Sequence, residues 1–203
     1  MIAVNNKHPH LVVIAGPNGA GKSTTAPSLL KGTLKVTEFV NADIIAQGLS
    51  AFQPEMTAFT AGRIMLNRLH YLAKKHVDFA FETTLSSRTF APWIAELRKT
   101  GYVFDLVFLW LPSEELAIER VAERVRMGGH NIAEKVIRRR YHTGLRNFIN
   151  LYQPLTHRWR FYDNSVSSGP RLIASGSGKD CNVIKDIEIW NGIMGQLSNG
   201  TKS

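Results

Sequence analysis

The sequence predicts an α/β protein whose mostly parallel sheet is covered by helices on both faces. Runs rich in β-branched and aromatic residues alternate with helix-like segments along nearly the whole chain, which is typical of such sheets. The chain has 203 residues, 44% of them hydrophobic, enough for one well-buried core. No repeat or shift in composition marks a boundary, so we expect residues 1–203 to form a single domain.

The first strand and helix enclose the most informative segment, LVVIAGPNGAGKSTTAPSLL. Residues 11–15 are apolar and predict a short buried strand, and residues 23–30 predict a helix. Between them the chain matches G-x-x-x-x-G-K-[ST], the P-loop motif. The glycines allow successive N–H groups to converge, and the helix N-terminus adds to their attraction for phosphate.

The P-loop predicts binding of ATP together with Mg²⁺. In this motif the Lys22 ammonium reaches the β- and γ-phosphates, and the Ser23 hydroxyl binds Mg²⁺. The predicted nucleotide-binding residues of the loop are Gly16, Pro17, Asn18, Gly19, Ala20, Gly21, Lys22, Ser23 and Thr24.

The elements that follow continue the alternation. Residues 102–111 are apolar enough to form a central strand. Ser113 is the expected N-cap of the next helix, which should end at the Gly128-Gly129 pair. Asn131 and Glu134 resemble a capping box at the start of another helix. The remaining predictions are strands at 35–43, 78–84 and 159–165, a short strand within 167–178, and helices at 55–75, 88–100 and 187–197. We expect five main strands in the sheet.

Several polar residues come at the predicted carboxyl ends of strands, where open α/β sheets bind ligands. Besides the P-loop, these are Asp43, Glu82, Thr84 and the pair Asp163-Asn164. We therefore expect Asp43, Glu82 and Thr84 to lie near the phosphates that the P-loop holds.

Basic residues give the chain a net charge of +9, and many of them fall between residues 120 and 160. Arg120 and Arg124 are four residues apart and share a helix face. A Gly-Gly turn and a second basic helix follow, which predicts a two-armed lid at about residues 120–142. We expect Arg124 and Arg138 to stabilise charge during phosphoryl transfer and Arg120 to stack on adenine. The less certain candidates are Arg126, Arg139 and Arg140, while His130 is expected to be a turn residue.

Other uses of a P-loop fit less well. A GTPase switch needs a base-reading Asn-Lys-x-Asp, and the sequence has none. An ABC or AAA ATPase usually has an apolar strand that ends in Asp, whereas the long fourth strand here ends at Leu111-Pro112. A small-molecule kinase with a three-layer P-loop fold and a helical arginine lid is therefore favoured.

The motifs GPNGAGKST, NAD and FETTLS, with Asp43 twenty-one residues after Lys22, resemble the zeta-toxin family over roughly residues 10–165. The chain is similar to its compact branch, described as predicted ATPases. Members are bacterial P-loop kinases, and the better-known ones phosphorylate UDP-N-acetylglucosamine on a sugar hydroxyl. The resemblance implies that Asp43 orients and deprotonates the acceptor hydroxyl and that Glu82 and Thr84 contact its sugar. Here Thr83 replaces the Gly of the family's usual Glu-Gly-Thr.

Several alternatives remain open. In these alternatives, Asp43 caps a helix that begins at Ile44, Glu82 binds a water molecule coordinated to Mg²⁺, and Thr84 is a turn residue. As alternatives to a sugar-nucleotide kinase, the protein is a metabolic or nucleic-acid-end kinase, or a nucleotide-binding module without catalysis.

The resemblance also implies a small antitoxin partner. The lone Cys181 and the lack of a signal peptide or membrane span predict a cytoplasmic location, and nucleic acid is not an expected partner.

Overall fold

The computed structural model describes residues 8–50, 54–129 and 131–199, and within these ranges seven strands form one sheet. The strands are β1 (His10–Ala15), β2 (Glu38–Val40), β3 (Phe79–Thr83), β4 (Val103–Trp110), β5 (Arg158–Asp163), β6 (Arg171–Ser177) and β7 (Asp180–Ile184). The α-helices are α1 (Lys22–Ser28), α2 (Ala42–Leu49), α3 (Ala58–Lys74), α4 (Phe90–Lys99), α5 (Glu114–Arg126), α6 (Glu134–Asn147) and α7 (Ile187–Asn199).

The sheet has the order β2-β3-β1-β4-β5-β6-β7. Neighbours from β2 to β5 are parallel, and β6 and β7 add an antiparallel hairpin at the β5 edge. The predicted α/β fold is confirmed, but the prediction of five strands is wrong. Every residue of β7 is exposed, and this five-residue edge strand alternates polar and apolar residues over only four positions, which is a weak strand signal.

Helices cover both faces of the sheet. On one face, α3, α4 and α7 bury their apolar sides against aromatic residues of the central strands, such as Phe79, Phe104 and Phe108. On the other face, α1 packs on β1, and α5 packs on β4. The alternating side chains of the parallel strands supply both cores, which is why these strands are almost wholly apolar.

The ends of the helices fit the sequence-based expectations in part. Ser113 is confirmed as an N-cap, because its hydroxyl accepts the N–H of Leu116 at 3.2 Å. The capping box predicted at Asn131 does not form: α6 begins after Ala133. Beyond α6 the chain continues as a π-helical segment, Phe148–Tyr152, and a 3₁₀ turn, Gln153–Leu155. In the described part of the chain, no helix is long and apolar enough to cross a membrane.

Candidate active site at the P-loop

The P-loop connects β1 to α1 at the carboxyl edge of the parallel strands. Gly16 has a φ of 142°, and a Cβ at this position would collide with the carbonyl oxygen of Leu109 in β4. A residue without a side chain is therefore required for the loop to turn away from the sheet. Asn18, Gly19 and Gly21 to Thr24 line a cleft of about 440 Å³, whereas Gly16, Pro17 and Ala20 of the same loop do not.

Lys22 is the first residue of α1, and only 6% of its surface is exposed. Its Nζ donates to the carbonyl of Pro17 at 2.9 Å and lies 3.8 Å from a carboxylate oxygen of Glu82. Burial lowers the pKa of Lys22, and the negative charges of Glu82 and Asp43 act in the opposite direction. The ammonium is thus held in the cleft with two carboxylates close enough to affect its charge.

Glu82, near the end of β3, is the centre of a hydrogen-bond network that joins two strands to the P-loop. Its Oε2 accepts from the Ser23 hydroxyl at 2.8 Å and from the Asn41 amide at 2.7 Å. The same Asn41 amide nitrogen lies 3.3 Å from the Ser23 hydroxyl. The Glu82 carboxylate therefore faces the P-loop and the predicted magnesium ligand.

Asn41 is a site residue that the sequence analysis missed. Its side-chain oxygen accepts the N–H groups of Asp43 at 2.7 Å and Ile44 at 3.2 Å, so Asn41 is the N-cap of α2. The alternative in which Asp43 caps this helix is therefore wrong, and Asp43 lies in the first turn. An Asn directly after a β-strand and before a helix is a recognisable capping signal that the sequence analysis did not use.

The cleft brings together most, but not all, of the predicted residues. Besides the P-loop it is lined by Asn41, Ala42, Asp43, Met65, Glu82, Thr83, Thr84, Phe90, Arg120, Arg124 and Arg140. Asp43 is close enough to oppose the lowering of the pKa of both Lys22 and Arg140. Two carboxylates and several cations therefore line a single cavity of the size that binds small molecules.

Arg138 does not lie in this cleft, and its predicted position is wrong. Its guanidinium donates to Glu114, Glu115 and Glu134, and these hydrogen bonds raise the pKa of Arg138. Arg140 faces the cleft instead and donates to the Asn18 side chain at 3.3 Å. Two residues along a helix correspond to a rotation of about 200°, so the two arginines of α6 project in nearly opposite directions.

Arg120 lines the cleft, but its guanidinium is held by the loop after β5. It donates to the carbonyls of Asn164 at 2.7 Å and Ser165 at 2.6 Å, and the Asn164 amide donates to the carbonyl of Ala20 at 2.8 Å. These contacts connect α5, the β5 loop and the P-loop. Adenine stacking by Arg120 stays a prediction, and His130 of the predicted lid lies outside the described residues.

Thr84 is held in the cleft by contacts between its loop and α6. Leu85 is buried and has a left-handed φ of 54°, which is unfavourable for a leucine. The Asn147 amide donates to the Leu85 carbonyl at 2.7 Å, and a Cβ on Gly144 would collide with the Thr84 carbonyl. Close packing of α6 therefore fixes the backbone that presents Thr84.

The oxygen atoms beside the P-loop suit Mg²⁺. Across residues 8–50, 54–129 and 131–199, no group of three or more His, Cys, Asp or Glu side chains is arranged to hold a metal. Mg²⁺ commonly takes only one or two protein oxygens and completes its shell with water and phosphates. The Ser23 hydroxyl and the Glu82 carboxylate, 2.8 Å apart, are such a pair, because adjacent ligands of an octahedral Mg²⁺ lie about 2.9 Å apart.

Comparisons with known proteins bear on the family and the fold of the chain. An uncharacterized protein of Haemophilus influenzae (strain ATCC 51907 / DSM 11121 / KW20 / Rd) is 28% identical over 130 residues, which are 64% of this chain and 91% of that protein. The crystal structure of AvrRxo1-ORF1:-ORF2 with ATP matches with a TM-score of 0.69 at 17% identity, over 92% of this chain. This chain spans only 63% of that one.

A second solved structure comes from the PezAT chromosomal toxin–antitoxin system of Streptococcus pneumoniae. It matches with a TM-score of 0.63 at 15% identity, over 96% of this chain and 89% of that chain. At these identities the likeness shows the fold alone, and that fold is kinase-like with a P-loop. A family profile described as an AAA domain matches residues 11–148, which is more than half of the sequence and extends from β1 to just beyond α6. The chain therefore belongs to this AAA domain family, although Leu111-Pro112 at the end of its fourth strand disfavours an AAA ATPase in the sequence analysis.

Proposed function

We propose that the protein is a magnesium-dependent kinase that transfers the γ-phosphate of ATP to a hydroxyl of a sugar nucleotide such as UDP-N-acetylglucosamine. The observation that carries this proposal is the Asp43 carboxylate, which lines the same cleft as the P-loop Lys22 and the guanidinium of Arg140. A protein that only bound ATP would need no carboxylate on the acceptor side of the phosphates. The combination of a cationic cradle and an opposing base is what transfer to an alcohol requires.

The P-loop side would hold the triphosphate. Backbone N–H groups of the loop and the Lys22 ammonium would bind the β- and γ-phosphates, and Ser23 and Glu82 would hold Mg²⁺. The bound ion would neutralise charge on the phosphate oxygens and fix their orientation. The contact between Glu82 and Ser23 favours this magnesium-side role over the contact with the acceptor sugar that the family resemblance implies.

The acceptor side would position an alcohol in line with the γ-phosphate. The hydroxyl oxygen attacks phosphorus while the bond from phosphorus to the β–γ bridging oxygen breaks, and ADP leaves. The hydroxyl proton passes to the Asp43 carboxylate as the new O–P bond forms. Arg124 and Arg140 would stabilise the charge on the transferring group, and Thr84 would contact the acceptor. Positioning and electrostatics supply most of the acceleration in such reactions.

The sugar-nucleotide acceptor and a toxin role rest on the resemblance of GPNGAGKST, NAD and FETTLS to the zeta-toxin family. The PezAT neighbour is a toxin–antitoxin system, which supports the same proposal. The net charge of +9 would favour a small acidic protein as the antitoxin. A cytoplasmic location stays a prediction.

Replacing Asp43 with Asn tests the proposal. Because the amide cannot accept the hydroxyl proton, Asp43→Asn should lower turnover by about 10²- to 10⁴-fold and leave ATP affinity nearly unchanged. Turnover is measured in a coupled kinase assay with a panel of sugar nucleotides, and ATP affinity by calorimetry. Asp180→Asn, the same change at an exposed position of β7, is the control.

The outcomes separate the alternatives. Near-normal turnover of Asp43→Asn would remove this carboxylate from the mechanism. ATP binding without transfer to any acceptor would indicate a nucleotide-binding module. Transfer only to other metabolites or to nucleic-acid ends would keep the kinase chemistry but overturn the sugar-nucleotide acceptor.

A further inference from the structure

A second cavity, of about 370 Å³, lies on the far side of β5 from the P-loop. It is open to solvent and lined by the π-helical and 3₁₀ segments that follow α6, by β7 and the turn before it, and by α7. All the residues that line it come after residue 148, where the family match ends. The cavity therefore has no part in the proposed transfer site. The π-helical turn at its wall is a feature that occurs frequently at functional sites.

The polar group that distinguishes this cavity is the side-chain amide of Gln153. The residue is only 6% exposed, and within the described chain its side chain makes no hydrogen bond. The Gln153 backbone is fully engaged, because its carbonyl accepts from both the N–H and the hydroxyl of Thr156 and its N–H donates to the carbonyl of Phe148. The amide atoms of Gln153 are not among the buried polar atoms without a partner, so they are open to solvent and available to pair with a ligand in the cavity.

Two other residues define what such a ligand carries. Trp190 lines the cavity, and stacking on Trp159, with ring centroids 5.5 Å apart, holds its indole in place. Lys179, in the turn between β6 and β7, is exposed at the rim. Across the described residues no carboxylate forms an ion pair with this ammonium. The cavity therefore offers an aromatic wall, an amide that donates and accepts, and an unpaired cation.

We propose that this cavity binds a mononucleotide. A nucleobase presents adjacent donors and acceptors on one edge, which matches the Gln153 amide, and its planar ring matches the Trp190 wall. The phosphate group pairs with Lys179 at the rim. The volume lies at the lower end of the range for small-molecule sites, which suits one nucleotide.

Calorimetry on the whole protein tests this site. The P-loop is first saturated with Mg²⁺ and a non-hydrolysable ATP analogue, and then AMP, GMP, CMP and UMP are titrated, followed by the nucleosides and inorganic phosphate. At least one mononucleotide should bind with a stoichiometry of one, and its nucleoside and phosphate alone should bind at least about tenfold more weakly.

Gln153→Met should reduce mononucleotide affinity about tenfold, and Lys179→Ala should reduce it about fivefold. Lys185→Ala removes a lysine from the segment after β7 that does not line the cavity, and should have no effect.

Cys181 provides a second measurement in the unaltered protein. It is the only cysteine of the chain, and it lies on the same cavity wall. A bound mononucleotide should slow its reaction with a thiol reagent when the P-loop is already occupied. Absence of both binding and Cys181 protection would overturn the proposal, as would full affinity in folded Gln153→Met. If thermal melting shows that Gln153→Met does not fold, the proposal is decided by the protection of Cys181 and by the mononucleotide affinity of Lys179→Ala.

Discussion

The two sides of the cleft are built in different ways. The phosphate side, residues 16–24, is one continuous turn whose shape follows from its own backbone and from the strand and helix at its ends. The opposite side, which carries the proposed acceptor residues together with Glu82, consists of Asn41, Asp43, Glu82, Thr84, Arg124 and Arg140, which come from four separate segments of the chain. The difference shows that a local motif is encoded in sequence spacing, whereas an assembled surface depends on how elements pack.

One residue connects the two sides. The Asn41 oxygen fixes the first turn of α2, which carries Asp43, while its nitrogen donates to Glu82 beside Ser23. A shift of α2 would therefore disturb the hydrogen bonds around the P-loop serine. The following experiments test how far the two sides depend on each other, from the largest expected effect to the smallest.

The sharpest test of the acceptor side compares the two arginines of α6. Arg140→Ala should lower turnover by about 10³-fold or more, because an arginine beside the transferring phosphoryl group has an effect of that size. Arg138→Ala should change turnover by only a few-fold, since its ion pairs with Glu114, Glu115 and Glu134 lie away from the cleft. Steady-state kinetics of both variants measure the difference. An equally large loss in Arg138→Ala would contradict the placement of these side chains.

The link between the two sides is tested with Asn41→Ser and Asn41→Ala. Both variants lose the amide that donates to Glu82, and both should lower turnover by about 10- to 100-fold, as is typical when a residue that orients a metal ligand is removed. Only serine retains the helix cap, so Asn41→Ala should be less stable than Asn41→Ser by about 1 kcal/mol. Turnover is measured across a range of Mg²⁺ concentrations, and stability by urea unfolding. Full turnover in Asn41→Ser would reduce the role of Asn41 to capping.

The phosphate side is tested through the pH dependence of stability. Burial lowers the pKa of Lys22 from 10.5, so between the lowered value and pH 10.5 the unfolded chain binds more protons than the folded one. The free energy of unfolding contributed by Lys22 therefore rises with pH in this window. The slope is at most about 1.4 kcal/mol per pH unit, and Lys22→Met should lack it. Urea unfolding of both proteins in alkaline buffers measures the difference, and equal slopes would show that burial does not shift this group.

Much of the fold could be predicted from the sequence because the buried strands and the P-loop have strong local signals. The apolar runs of β1 and β4 identified the centre of the sheet, and Ser113 identified the start of α5. β7 was missed because it is a five-residue edge strand with only a short alternation of polar and apolar residues, and the π-helical turn after α6 has no sequence pattern of its own. The Asn41 cap has a signal in the sequence, an Asn before a helix. The boundaries of strands and helices are defined only to within one or two residues, so this signal was not recognised.

For the site, the sequence by itself determined the phosphate side: nine consecutive residues specify a loop, and their spacing decides which groups converge. Only the tertiary structure decided the acceptor side. The rotation of α6 selected Arg140 over Arg138, and the position of β3 beside the P-loop placed Glu82 against Ser23. The physical reason is that a turn between two adjacent elements is set by local backbone angles. The orientation of a distant side chain, in contrast, is set by the packing of its whole helix or strand, which one stretch of sequence does not contain.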